Sequence, residues 1–261
     1  MKISCVQMDM LFASPEENFK RAAKLIEKAA KESPDVIVLP ETWNTGFFPR
    51  ESLESFCDTE GSRVKSEIGA LAKRFSVNIV AGSVANFSGG KVYNSSYVFD
   101  RKGECVSRYD KTHLFTPMGE DGFFQKGENL SVFELGGVKC AVVICYDIRF
   151  PELTRTLALK GIQVLFTVSQ WPKVRIPHLL ALTKARAIEN QMFVACCNSC
   201  GKAGETVYGG NSVIYDPWGE TLSRGDDGEG IISADCDMSV VDGIRSSINV
   251  FCDRRAELYK L

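Results

Sequence analysis

Histidine is scarce in this chain: only His113 and His178 occur in 261 residues. That count excludes a zinc site built on several imidazoles, and a Cys–His or Ser–His nucleophile must recruit one of these two. An excess of one charge is also missing. With 31 basic and 33 acidic residues, a net charge of −2 and no basic block, nucleic acid is not an expected partner. Long apolar runs are absent too. No window approaches the roughly 18 apolar residues of a membrane span, and the uncharged stretch from Gly161 to Pro172 is broken by Gln163, Ser169 and Gln170. The opening Met1-Lys2-Ile3-Ser4-Cys5-Val6 turns polar by Asp9 and lacks the apolar core of a secretory signal, which points to a cytoplasmic protein. With no linker, repeat or shift in composition, a single domain over residues 1–261 is expected.

What the chain does contain is ordinary globular material, 44% hydrophobic and 25% charged, long enough to bury a core without disulfides or metals. Its ten cysteines are irregularly spaced. Cys5, Cys140 and Cys196 lie in apolar, strand-like runs and read as small buried hydrophobes, their thiols kept free in a reducing compartment. Cys197-Asn198-Ser199-Cys200 has CxxC spacing but no second pair, and Gly201-Lys202-Ala203-Gly204 does not join a strand to a helix as a phosphate cradle does. Neither is taken as a site.

Strand-like and helix-like segments alternate. Strands are expected at Ile3–Met8, Asp35–Leu39, Asn78–Val84, Val92–Phe99, Cys105–Tyr109, Val164–Val168 and Phe193–Cys197. A hairpin is expected around Gly136-Gly137, and edge strands around the turn Asp216–Glu220. Ser14-Pro15-Glu16-Glu17 reads as a capping box opening a helix in which Phe19, Ala22, Ala23 and Ile26 recur at helical spacing. Further helices are expected near Val64–Phe75, Leu153–Leu159 and Ile176–Gln191. The fold class is α/β.

Three positions share a context. Glu41 follows the buried strand Asp35–Leu39, Lys111 follows the strand ending near Tyr109, and Cys145 ends the strand Lys139–Ile144 just before a turn into a helix. Ligand sites of open α/β sheets collect at the carboxyl ends of strands. A carboxylate, an ammonium and a thiol would meet there if these strands are neighbours. On spacing alone the plainer reading stays open: two loop-end charges and another core thiol.

Leu39-Pro40-Glu41, Tyr109-Asp110-Lys111-Thr112-His113-Leu114-Phe115 and Cys145-Tyr146-Asp147-Ile148-Arg149-Phe150-Pro151-Glu152 together resemble the three-motif signature of the carbon–nitrogen hydrolase (nitrilase) superfamily. Ala185–Gln191 resembles that family's later helix, and Gly210–Ile214 with Asp216–Glu220 its closing strands. The resemblance spans nearly the whole chain. It implies a single-domain, four-layer-forming α-β-β-α sandwich that pairs with a second subunit as a homodimer, and a Glu41-Lys111-Cys145 set working without metal or organic cofactor. In that scheme Glu41 is the general base for a thiol whose unperturbed pKa is about 8.5. Cys145 attacks an amide carbonyl, Lys111 and the backbone N–H of Tyr146 hold the oxyanion, and a thioester forms and is hydrolysed. Glu120 matches a second family glutamate orienting lysine and substrate; as a bare residue it also reads as part of a solvated turn. Arg149 and Glu152 are expected as a structural ion pair.

The wording around Cys145, together with Ser169-Gln170-Trp171-Pro172, resembles the omega-amidase branch, which releases ammonia from short dicarboxylic monoamides such as 2-oxoglutaramate and succinamate. Trp43, Phe47, Phe48, Phe115 and Trp171 are then expected to wall a small pocket, with Arg175 as the cation for the distal carboxylate. The alternatives are an N-carbamoyl amino-acid hydrolase or another small aliphatic amidase using the same triad, a Cys145–His113 enzyme, and a catalytically silent binding protein.

Overall fold

The computed structural model describes residues 1–47 and 49–259. Apolar residues alternate along most strands in a way that sorts them into two faces. In Val36–Val38 the outer two side chains turn one way and Ile37 the other; in Val138–Ile144, Cys140, Val142 and Ile144 oppose Ala141 and Val143. Strands apolar on both faces must be covered on both, and two sheets stacked face to face between helices achieve that.

The first sheet runs in the order Gly230–Asp235, Lys2–Gln7, Val36–Val38, Asn78–Val80, Lys91–Phe99, Val84–Ser88, Asp58–Thr59, with Cys105–Asp110 also pairing with Lys91–Phe99. The second runs Thr221–Arg224, Val213–Tyr215, Phe193–Asn198, Val164–Ser169, Val138–Ile144, Phe133–Leu135. Lys2–Gln7, Val36–Val38 and Asn78–Val80 are parallel, as are the three central strands of the second sheet. Between the sheets lie Ile3, Cys5, Val36, Val38 and Val98 from one side and Val142, Ile144, Phe166, Val168 and Ala195 from the other. The far face of the first sheet is covered by the helix Pro15–Ala30, through Phe19, Ala22 and Ile26, and by Gly69–Phe75. The far face of the second is covered by Pro151–Leu159 and Ile176–Asn190. This is the expected α-β-β-α sandwich.

Most expected elements form with shifted ends. The Gly136-Gly137 hairpin is present, both glycines at positive φ as a two-residue turn requires. Two expectations need correction. Asn78–Val84 is two strands, Asn78–Val80 and Val84–Ser88, separated by a loop. The capping box at Ser14 does not close: its hydroxyl donates back to the Phe12 carbonyl (3.2 Å), and Glu17 pairs with Lys20 (2.8 Å).

The loop between those two strands grips the segment that follows Val36–Val38. Ser83 N–H donates to the Pro40 carbonyl (3.0 Å), and its hydroxyl accepts from Thr42 N–H (2.9 Å). Gly82 makes this approach possible: it sits at φ +61°, where a Cβ would lie 2.0 Å from the Pro40 oxygen. Gly82→Ala should therefore cost about 2–3 kcal/mol by denaturant unfolding. Gly89→Ala, equally left-handed but facing open space, should lose only about 1–2 kcal/mol. Equal losses at the two sites would show that the close approach at residue 40 carries no weight.

Candidate active site

Glu41 lies just beyond Val36–Val38, Lys111 just beyond Cys105–Asp110, and Cys145 just beyond Val138–Ile144. The three strands are not neighbours in one open sheet. Asn78–Val80 and Lys91–Phe99 separate the first two, and the third belongs to the other sheet. The three side chains meet across the crevice between the sheets. Bonds across that crevice fix the segment after Glu41: its N–H donates to the Ser169 carbonyl (3.4 Å), and the Thr42 hydroxyl donates to Gln170 Oε1 (2.8 Å).

Lys111 Nζ donates to Glu41 Oε1 at 2.8 Å and to both oxygens of Glu120 at 3.0 and 2.9 Å, and all three side chains are at most 1% exposed. Glu120 also accepts from Phe115 N–H (2.6 Å), so it is part of the buried cluster rather than a solvated turn. Asn94 Nδ2 donates to Glu41 Oε1 (3.0 Å) and Glu120 Oε1 (3.3 Å), and the Asn94 carbonyl accepts from Lys111 N–H (2.9 Å). The two glutamates are thus unequal. Both Glu120 oxygens have donors, whereas Glu41 Oε2 is buried with none. Burial pushes the Glu41 carboxyl above its ordinary range; Lys111 pulls it back and Glu120 adds to the rise. Burial alone would lower the Lys111 ammonium, but Glu120, Glu41 and Cys145 together hold it well above its ordinary value.

Cys145 opens the short turn Cys145–Arg149 at φ +49°, an uncommon conformation for a side chain other than glycine, and one found at functional turns. Asp147 holds it there. This fully buried carboxylate accepts from Ile144 N–H (2.9 Å) within the turn, and from the Tyr109 hydroxyl (2.7 Å), the Thr112 hydroxyl (3.1 Å) and His113 N–H (3.0 Å) on either side of Lys111. Arg186 donates two bonds, 3.1 and 2.9 Å, to the Ile148 carbonyl on the helix side. Burial and the facing Glu41 charge push the Cys145 thiol well up, with Lys111 opposing. A neutral thiol beside a carboxylate with a free oxygen, an ammonium to the side, is equipped to add sulfur to a carbonyl and to take up the proton as it does so.

Residues 2–246 match the family model described as carbon–nitrogen hydrolase. The chain belongs to the carbon–nitrogen hydrolase family. It is 44% identical to a 2-oxoglutaramate amidase of Bacillus subtilis over 98% of each chain, and 32% identical to omega-amidase NIT2 of Xenopus tropicalis over 100% of this chain and 97% of that one. The crystal structure of Nit3 from Saccharomyces cerevisiae, a member of branch 10 of the nitrilase superfamily, superimposes with a TM-score of 0.91 at 28% identity, covering 98% of this chain and 96% of the other.

In this carbon–nitrogen hydrolase the cleft beside Cys145 and Lys111 is lined by Phe47, Phe115, Tyr146, Trp171 and Arg175, four of which were expected as pocket residues from the sequence. Phe48 lies outside the described residues. Trp43 is a correction: it is fully buried under the helix Pro15–Ala30, edge-on to Phe19 (4.6 Å), with its indole N–H donating to the Ala81 carbonyl (2.8 Å). The Arg149–Glu152 ion pair does not form. Arg149 lies 4.7 Å over the Trp171 ring and lines the cleft. Tyr208 and Thr206 also line it, from the hairpin Cys200–Ala203/Thr206–Gly209, which was not expected. His113 is turned to Asp147 (Nδ1 2.8 Å from Oδ1) and stacked on Phe150, not placed in the cleft lining.

Removing the ammonium while leaving both carboxylates should be severe. Lys111→Met is expected to cost about 3–5 kcal/mol of stability at neutral pH. The deficit should narrow in mild acid, because the Glu41 carboxyl, raised by burial and left without its cation, takes up a proton as pH falls through that raised range. Urea unfolding of both proteins across this range checks it; a deficit independent of pH would mean that the ammonium does not neutralise the pair.

Proposed function

We propose that this carbon–nitrogen hydrolase is a cysteine-dependent amidase that hydrolyses the terminal carboxamide of small omega-amidodicarboxylates, of the 2-oxoglutaramate and succinamate kind, to the acid and ammonia. The observation that carries it is the buried cluster in which Lys111 spans Glu41 and Glu120 beside Cys145, at 2.8 and 2.9 Å. Because burial keeps the thiol protonated, sulfur attacks as Glu41 Oε2 takes its proton. Charge moves to the carbonyl oxygen. An ammonium has three hydrogens; Lys111 gives one to Glu41 Oε1 and, with the two Glu120 oxygens sharing a second, keeps the third for the oxyanion alongside the backbone N–H of Tyr146. Protonated Glu41 returns its proton to the departing nitrogen, ammonia leaves, and a thioester remains. Glu41 then removes a proton from water, which attacks the thioester. The acid departs and the thiol is restored.

The substrate class rests on the relatives named as 2-oxoglutaramate amidase and omega-amidase, and on the charge of the cleft. Arg149 over Trp171 and Arg175 over Phe115 (5.1 Å) line it, and neither is in an ion pair among the described residues. Arg175 is assigned the distal carboxylate. Among the described residues no helix is long and apolar enough to cross a membrane. The enzyme is proposed to act as a single domain in the cytoplasm, as a homodimer.

Ammonia release across omega-monoamides, monocarboxylic amides, carbamoyl compounds and nitriles tests the assignment, with omega-monoamides expected to react fastest. Faster turnover of carbamoyl compounds, with carbon dioxide released alongside ammonia, would transfer it to the carbamoyl hydrolases. Cys145→Ala and Glu41→Gln should abolish turnover with folding retained, and turnover by either would sink the assigned roles. Arg175→Met should raise KM for omega-monoamides about 10- to 100-fold, as loss of a charged hydrogen bond does, while barely changing that for monocarboxylic amides. Equal effects on both would place the carboxylate elsewhere.

A further inference from the structure

Asn94 touches all three charged members of the cluster, Glu41 and Glu120 through its side chain and Lys111 through its backbone, and neither the motifs nor the family comparison points to it. It lies inside the strand Lys91–Phe99 at 1% exposure. Its side-chain amide must present nitrogen, not oxygen, to the glutamates, since both neighbours there are acceptors at 3.0 and 3.3 Å. That leaves Asn94 Oδ1 buried with no donor. A buried carbonyl without a partner calls for an explanation, and here the other end of the same amide is held by two glutamates. Within the same cluster Glu41 Oε2 is likewise without a donor, on the carboxylate whose Oε1 is occupied by Asn94 and Lys111. With Oε1 engaged by two donors, Oε2 is the one oxygen of the glutamate pair available for a proton.

We infer that Asn94 is a positioning residue that sets the proton affinity of Glu41: its amide stabilises the ionised carboxylate through Oε1 and so directs the thiol proton to Oε2. This rests on the proposed role of Glu41 as base. The groups facing Glu41 are Lys111, Glu120, Cys145 and, from the hairpin opposite, Tyr208, whose hydroxyl is pushed up by burial and by the Glu41 charge. Of the donors to Glu41 Oε1, Asn94 is the one that carries no charge of its own, so its removal alters the carboxylate without removing an ion from the cluster. Loss of a hydrogen bond to the ionised form raises a carboxyl pKa, so the base becomes protonated at higher pH.

The test is the pH dependence of kcat/KM for an omega-monoamide, together with that of Cys145 alkylation by iodoacetamide read by mass spectrometry on the full chain. Asn94→Ala should move the acid limb of both profiles upward by about one pH unit. Plateau kcat should stay within about tenfold and KM should change little. A purely structural role would lower the melting temperature and leave the limb in place. Asn94→Asp, which keeps the side-chain shape and adds negative charge, should move the limb further, and it serves if the alanine variant does not fold. Glu41→Gln separates the two claims. Its alkylation profile should lose the acid limb; a profile like wild type removes Glu41 as base. A lost limb in Glu41→Gln with an unmoved or lowered limb in the folded Asn94 variant overturns the inference and leaves the base role standing.

Discussion

An ammonium held between two carboxylates, all three shut away from water, is the contact around which this molecule is organised. Each charge alone would be expelled from so dry a place, since taking an ion out of water costs several kcal/mol even after the protein relaxes. Together, one cation and two anions leave an excess of negative charge, which the cluster eases by donors from Phe115 and Asn94 and by the raised proton affinity of Glu41. That excess suits Glu41 to the proton-accepting role proposed for it. A strictly neutral pair would hold its carboxylate ionised and make a poorer base.

The sandwich is what allows such a cluster. Glu41 and Lys111 come from strands of one sheet, and Cys145 from the other, so the depth of the crevice sets how closely sulfur approaches the charges. Asp147 ties the two sides together. It binds the backbone at Ile144, before the cysteine, and Tyr109, Thr112 and His113, which flank the lysine, so neither the thiol nor the ammonium shifts without the other. The left-handed Cys145 backbone is tolerated because those bonds, with the Arg186 pair on Ile148, hold the turn from both sides.

How far all this could be read from the chain depends on the range of the physics involved. Apolar periodicity is local, so strands such as Val164–Ser169 and the helix Pro15–Ala30 were legible, and so were Glu41, Lys111 and Cys145 as strand-end residues within recognisable motifs. Pairing order is not local, and the placement of Cys145 on a separate sheet left no trace in spacing. Trp43 was misassigned because an aromatic near a strand end looks the same whether it turns toward a cleft or, as here, under a helix to meet Phe19. Asn94 carried a readable signal, since Asn94-Ser95-Ser96 interrupts a strand that buries Val98 and Phe99, but a polar step in a strand announces burial against charge only once its neighbours are known. Tyr208 was missed because no hairpin was expected over Cys200–Gly209.

The same charge pattern bears on how a monoamide of a dicarboxylic acid enters. Glu41 and Glu120, buried behind Lys111, outnumber its one positive charge at the inner end of the cleft, while Arg149 and Arg175 line the cleft with no ion-pair partner among the described residues. On the proposed function, a ligand neutral at one end and anionic at the other is favoured with its amide toward Cys145 and its carboxylate toward the guanidinium groups. On the proposed function, hydrolysis then creates a second carboxylate beside the two glutamates. Like charges repel more strongly where water is excluded, so the reaction turns a well-matched ligand into a less well-matched one. The buried excess of negative charge that suits Glu41 to its proposed role as base would also help expel the product.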